Sequence, residues 1–279
     1  MVARDNPPHR SCPYLSLSPV PYSLSPVACS LYSAPMSLTL KNPHSVLAAI
    51  AARPQDVLEV RTNLKTASDG WKAVADAAHA HRIPVRPTLN SPAANRGKDG
   101  SGGAGGRIGG SEAIVRELPG QSIEEVLKSD ASRGLWLAFD HVQDPHNVGA
   151  IFRTAAFFGV RGAILTKDQS APMSSTVYDV ACGGVESIPF VVLPNLVRAI
   201  EIAKEKGMWI LGTSEHAERD LREVDRDRKW LMVIGNEESG LRRLTAEHCD
   251  ELCRLTPRGS VTSLNVSSAT AILIAGLSE

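Results

Sequence analysis

The 279-residue sequence lacks an excess of either charge, with 30 Lys and Arg against 30 Asp and Glu, so bulk electrostatics assigns it no partner. The balance differs along the chain: residues 1–133 carry 15 basic and 11 acidic side chains, residues 134–279 carry 15 and 19. A surplus of that size permits contact with nucleic acid without requiring it. Cysteine is also scarce. The five residues Cys12, Cys29, Cys182, Cys249 and Cys253 form no C-x-x-C pair and have no matching histidine spacing, which argues against zinc and against a disulfide framework. Cys182 and Cys253 lie in apolar contexts and read as small core residues of a reducing compartment. No apolar run approaches the ~18 residues of a membrane helix. A soluble, cytoplasmic protein without metal or membrane partner is the expectation. A lysine-bearing phosphate loop is missing too: the run 100–110 holds seven glycines, yet no strand leads into it and no Gly-Lys-Ser/Thr follows. It reads as a flexible loop.

What is present falls into stretches of different character. Residues 1–36 are rich in Ser, Pro and Tyr and contain a near-repeat, PYLSLSPV followed by PYSLSPV. Prolines at that density forbid a helix and break the apolar core of a signal peptide. The expectation is a disordered leader, with Met36 a candidate true start that an intact mass would decide. Residues 37–118 suggest a small α/β domain: Val46, Leu47, Ile50 and Ala51 repeat at helical spacing, 57–60 is a short strand, and Trp71, Val74, Ala75 and Ala78 mark a second helix. Residues 119–133 form a linker with a short helix.

From residue 134 onward the alternation is regular. Strands are expected at 135–140, 163–166, 188–193, 208–212, 230–234 and 251–255, and helices at 148–158, 174–182, 196–206, 245–249 and 264–276. Such alternation implies a mostly parallel sheet covered on both faces, with ligands beyond the carboxyl ends of its strands. Three stretches lie at those ends. The first is Asp140-His141-Val142-Gln143-Asp144-Pro145-His146-Asn147-Val148-Gly149-Ala150-Ile151-Phe152-Arg153. On its helix Arg153 points about 140° away from the apolar Val148 and is free to face a cleft, or to be an ordinary solvated arginine. His141 and His146 are candidate bases, although loop histidines more often only form hydrogen bonds. The second is a buried strand ending in Gly235-Asn236-Glu237-Glu238-Ser239-Gly240, where Gly235 would let a ligand approach the backbone and the carboxylates could orient a polar partner. The third, Gly259-Ser260-Val261-Thr262-Ser263-Leu264-Asn265-Val266-Ser267, is a polar loop feeding an apolar helix. It is either a plain N-cap or a site where free amides bind a group rich in lone pairs.

In this order the three stretches resemble the SPOUT superfamily, in its TrmH/SpoU branch of RNA ribose 2′-O-methyltransferases. Residues 134–276 fit without an obvious gap, and Asp144-Pro145-His146-Asn147 with Arg242-Arg243-Leu244-Thr245 is similar to the bacterial 23S rRNA guanosine subgroup. Residues 37–118 resemble, more faintly, that subgroup's N-terminal domain, which is built like a small RNA-binding ribosomal protein. The resemblance implies an α/β fold with a deep trefoil knot in the domain 134–279, a homodimer, RNA as substrate, and S-adenosylmethionine as methyl donor. It implies catalytic roles for Asn147, Arg153, Glu237, Ser263 and Asn265. It also implies a cofactor pocket at Gly235, Leu255 and Leu264, joined by Gly212 and Thr213. The chain departs from the pattern at Glu238, where many relatives have glycine, and at Gly109-Gly110-Ser111-Glu112, where relatives carry a His-Gln-Gly-type turn.

Overall fold

The computed structural model describes residues 36–88 and 110–278. The expected leader and most of the glycine run lie outside the described residues. The first strand, β1 (Ser37–Leu40), leads into α1 (Pro43–Ala52), which Asn42 caps by accepting the His44 N–H and which Pro43 opens at a position needing no donor. Next come β2 (Val57–Arg61), α2 (Asp69–Ala80), β3 (Val85–Arg86) and β4 (Glu112–Arg116). They form a four-stranded sheet in the order β1-β4-β2-β3, with β4 antiparallel to both neighbours and β2 parallel to β3. Val46, Ala49 and Ile50 of α1 and Trp71, Val74, Ala75 and Ala78 of α2 supply its core. The buried stripe of α1 thus runs through Ala49, whereas the expected Ala51 is exposed.

The connecting segment packs against the second sheet. Its helix α3 (Ile123–Val126) is closed by a Ser122–Glu125 capping box, and Ile123, Val126 and Leu127 are buried. The Trp136 indole N–H donates to the Val126 carbonyl at 2.9 Å, so the segment is fixed to the sheet it precedes.

The large domain then runs β5 (Gly134–Phe139), α4 (Pro145–Phe158), β6 (Ala163–Thr166), α5 (Ser175–Ala181), α6 (Gly184–Ser187), β7 (Phe190–Leu193), α7 (Leu196–Glu205), β8 (Trp209–Thr213), β9 (Arg219–Asp220), β10 (Lys229–Ile234), α8 (Arg243–Glu247), β11 (Glu251–Arg254) and α9 (Val266–Ser278). Seven strands pair in the order β7-β6-β5-β10-β8-β11-β9, every pairing parallel. The centre is dry: from Leu135 to Phe139 and from Trp230 to Ile234 every residue is buried, which is why these strands read as unbroken apolar runs. Residues alternate between two cores. Leu137, Phe139, Met232 and Ile234 face one side with α4, α5 and α9, while Trp136, Ala138, Leu231 and Val233 face α3 and α7. The expected helix 174–182 is α5, which ends where Cys182 and Gly183 both take left-handed backbone at φ 49° and 95°; the short α6 that follows was not expected.

A polar seam joins the two sheets' helices. Asp179 of α5 accepts the Lys41 and Asn42 N–H groups at 3.0 and 2.9 Å, and the Ser45 hydroxyl donates to the Tyr178 carbonyl at 2.6 Å. Arg53 and Glu186 form a two-pronged ion pair, both bonds 2.8 Å, with both side chains almost fully buried. The Leu118 N–H donates to the Tyr178 phenol at 3.1 Å.

Candidate active site

Strand β10 lies between β5 and β8, so the loops after β5, β8, β10 and β11 emerge together at the carboxyl edge of the sheet. Crevices at such positions are where open parallel sheets hold ligands. After β5, Asp144 caps α4 by accepting the His146 N–H at 2.8 Å, and Pro145 occupies the first helical position. That start places Asn147 in the first turn, 7% exposed and facing inward. After β10, residues 236–240 fold back on themselves: the Asn236 N–H donates to the Gly240 carbonyl and the Gly240 N–H returns the bond, both at 3.0 Å. The Asn236 carboxamide oxygen accepts from the Glu238 and Ser239 N–H groups, and its NH₂ donates to the His141 carbonyl at 2.9 Å. After β11, Asn265 caps α9, accepting the Ser267 N–H at 2.9 Å.

These three loops meet in one chain of hydrogen bonds. Asn265 Nδ2 donates to Asn147 Oδ1 at 3.1 Å, and Asn147 Nδ2 donates to Glu237 Oε1 at 3.0 Å. Asn147 is the hub, fixed by donating with one end of its carboxamide and accepting with the other. The Asn265 reading therefore needs both alternatives: the residue is an N-cap and also a member of the site.

Beside this chain lies a cavity of about 470 Å³, lined by Thr213, Gly235, Glu237, Leu255, Ser263 and Leu264 among others. Its size is that of small-molecule sites. Of the expected cofactor residues, Gly212 does not line it. A Cβ there would come 2.7 Å from Cys249 Sγ and 2.9 Å from Leu241 Cδ1, so Gly212 packs behind the wall. Gly235 does line the cavity, but the close approach that requires a glycine is made by the protein itself: a Cβ would lie 2.6 Å from the Leu241 nitrogen, where the loop returns. Cys253 also lines it, and burial pushes its thiol up to about 12, with Glu251 and Asp220 acting in the same direction. It is a neutral wall residue at physiological pH rather than a nucleophile.

Arg153 stands apart. It is exposed on α4 and lines a different hollow with Phe157, Cys182, Gly183 and Ala271. Its Nη1 donates to Cys182 Sγ at 3.5 Å, and Asn42 Nδ2 donates to the same sulfur at 3.1 Å. Cys182 is therefore a half-buried seam residue rather than the core residue its context suggests. Sequence reasoning also missed Asp140. This carboxylate at the end of β5 is 0% exposed and accepts from Arg242 N and Nε at 3.0 and 2.6 Å, tying down the far end of the β10 loop. The signal was present as an acidic residue closing an otherwise apolar strand.

The SpoU rRNA methylase family model matches residues 134–275, from β5 into α9. The chain belongs to this family. Among members, the 23S rRNA (guanosine-2′-O-)-methyltransferase RlmB of Pseudomonas aeruginosa is 46% identical over 152 residues. That match takes in 54% of this chain and 61% of the relative, so it spans about three fifths of that protein's length. The enzyme of the same name from Bordetella pertussis is 35% identical over 232 residues, which cover 83% of this chain and 92% of the relative. In structure, the SpoU methyltransferase AviRb from Streptomyces viridochromogenes, crystallised with the cofactor AdoMet, superposes with a TM-score of 0.70 over 87% of this chain and 89% of its own. At 19% identity that likeness establishes the family's α/β fold with its parallel sheet.

Proposed function

We propose that this family member transfers a methyl group from S-adenosylmethionine to a ribose 2′-hydroxyl of 23S rRNA, a guanosine by analogy with the RlmB relatives. The observation that carries the reading is the Asn265–Asn147–Glu237 chain running beside a cavity of cofactor size. The cavity suits the donor: Leu255 and Leu264 offer apolar surface for a base, and Ser263, Thr213 and the strand-end backbone offer polar groups around it. When bound, the sulfonium supplies a methyl group that is already electrophilic. The protein's task is then to align a 2′-oxygen and to manage its proton.

Asn147 is held rigidly enough to orient a nucleotide, and Ser263 has a hydroxyl to donate to it. Glu237 Oε1 receives Asn147, which fixes the loop carrying that carboxylate. Arg153 is a poor base, because a guanidinium stays protonated at any physiological pH. Its role is to anchor phosphate and to stabilise charge growing on the 2′-oxygen, with the proton lost late.

For Arg153 to act there, a second chain has to bring it. We infer a homodimer formed through the α4 and α9 surface, where Phe157, in the same hollow as Arg153, is 83% exposed and Ile272 of α9 is 47% exposed. Apolar exposure of that kind is expected of an interface. The knot belongs to the same reading. After β11, next to one edge of the sheet, the chain returns to pack α9 on α4 and β5 at the centre, which supports a threaded path through 235–265. The N-terminal sheet and its helices, read as an RNA-binding module, would recruit the rRNA, and a cytoplasmic location would go with that substrate. No helix among the described residues is long and apolar enough to cross a membrane.

The test uses unmodified 23S rRNA and methyl-labelled donor. Arg153→Ala should lower transfer by roughly 10²–10³-fold, the scale of a lost charge-stabilising group, while leaving S-adenosylhomocysteine binding near wild type. Loss of transfer and binding together would count against the assignment.

A further inference from the structure

Arg254 is the last residue of β11, at the cavity wall. Its neighbours at this edge have found partners: Arg219 pairs with Glu251, and Arg222 with Asp220. Asp220 stands opposite Arg254 in the β9–β11 register, yet its oxygens are engaged by the Arg222 guanidinium and by the Thr256 hydroxyl. Arg254 is half-buried, and its Nε is shut off from solvent without a hydrogen-bond partner among the described residues. A guanidinium is always charged, and withdrawing its donors from water without an acceptor is unfavourable. Native proteins seldom leave such a group unmet unless something else meets it. A partner arriving from the cavity has to bring an acceptor, and an anion would match the charge as well.

We propose that Arg254 is the carboxylate-binding residue of the cavity, taking the amino-acid carboxylate of the methyl donor. This rests on the reading of the cavity as the donor site. The planar fork of a guanidinium matches a carboxylate with two parallel N–H bonds. Nε is closed to solvent, so a carboxylate entering the cavity would meet the outer nitrogens of the guanidinium, and the end of a short unbranched chain is slim enough to do so. An RNA phosphodiester, flanked by riboses on both sides, would be held at the mouth instead.

Calorimetric titration of the full chain with two ligands tests this. S-adenosylhomocysteine carries the amino-acid end; 5′-methylthioadenosine keeps the adenosine and the sulfur but lacks it. Arg254→Gln should weaken S-adenosylhomocysteine by about tenfold to a hundredfold, the range for a lost charge-assisted hydrogen bond, and leave 5′-methylthioadenosine within about twofold. Arg254→Lys, which keeps the charge but not the fork, should fall between. Retained 5′-methylthioadenosine binding also shows that the variant's cavity is folded. Equal weakening of both ligands, or no change in either, would overturn the assignment. Failure of the wild-type chain to bind either ligand would overturn the reading of the cavity and the role of Arg254 with it.

Discussion

The seam between the small domain and α5–α6 and the cluster at the ends of β5, β10 and α9 are made of the same residue types, and they are satisfied differently. In the seam, Arg53 is matched to Glu186 on both prongs, Asp179 accepts backbone N–H groups, and the Tyr178 phenol is met by Leu118 N–H. In the site, Asn147 is held by two neighbours with one N–H and one lone pair left over, Glu237 is exposed, Ser263 opens onto the cavity, and Arg254 Nε has no partner among the described residues. A closed polar network holds a fold, whereas one left open toward a cavity holds capacity for a ligand. Damage to the first should therefore cost stability, and damage to the second should cost binding and turnover.

The largest expected effect is in the seam. Glu186→Ala leaves the buried Arg53 guanidinium with only the Arg116 carbonyl and Asp56, 3.7 Å away, and should lower unfolding free energy by about 3 kcal/mol in denaturant titrations, whereas Arg53→Met with Glu186→Leu should recover much of it. If the single change were silent, the seam would not be the closed network described. In the site, Gly235→Ala forces a methyl into the returning loop and should cost about 1–3 kcal/mol, with S-adenosylhomocysteine affinity falling alongside. Asn147→Ala should cost only about 1 kcal/mol of stability, yet reduce methyl transfer by about a hundredfold, because the nucleotide loses its orienting group. A purely structural Asn147 would show comparable losses in both.

A pH experiment sharpens the comparison from the seam side. Burial raises the Asp179 pKa above its ordinary value of 3.8, while the Asn42 and Lys41 N–H groups pull it back. A raised carboxyl binds its proton more readily in the folded chain, so its contribution is present in full below about pH 3.8 and is lost as pH rises through the folded value. Unfolding midpoints of wild type relative to Asp179→Asn should accordingly drift against the wild type as pH rises through that window. A constant difference would contradict this. The smallest effect is expected at Cys249 and Cys253, whose thiols burial pushes up to about 12. Both should resist alkylation in the native protein at pH 8 and react once it is unfolded, as read by mass spectrometry.

Much of the fold was legible because its central strands are continuously apolar and its helices have plain caps and stripes. Strand 163–166 falls where expected, and the other expected strands differ from the observed ones by a residue or two at their ends. Strands β1 and β9 were not legible: four and two residues long, they are defined by partners distant in the chain. The short α6 escaped notice, since four residues are too few to carry a periodic signal. At the site, the resemblance named Asn147, Glu237 and Asn265, and their mutual hydrogen bonds depend on how three loops cross. Gly235 was singled out as a place for a ligand to approach, whereas the close approach the structure shows is that of the Gly240–Leu241 backbone. Arg153 lines a hollow apart from the cavity, which no periodicity encodes, and the proposed dimer is what would bring the two together.

That last point admits a direct measurement. Two inactive variants are prepared, Arg153→Ala with an intact cavity and Gly235→Val with its cavity obstructed, and are assayed for methyl transfer singly and after co-expression. Cavity and arginine supplied by different subunits should restore transfer in the mixture while each variant alone stays silent. A mixture as inactive as its components, with mixed dimers verified by mass, would contradict the shared site.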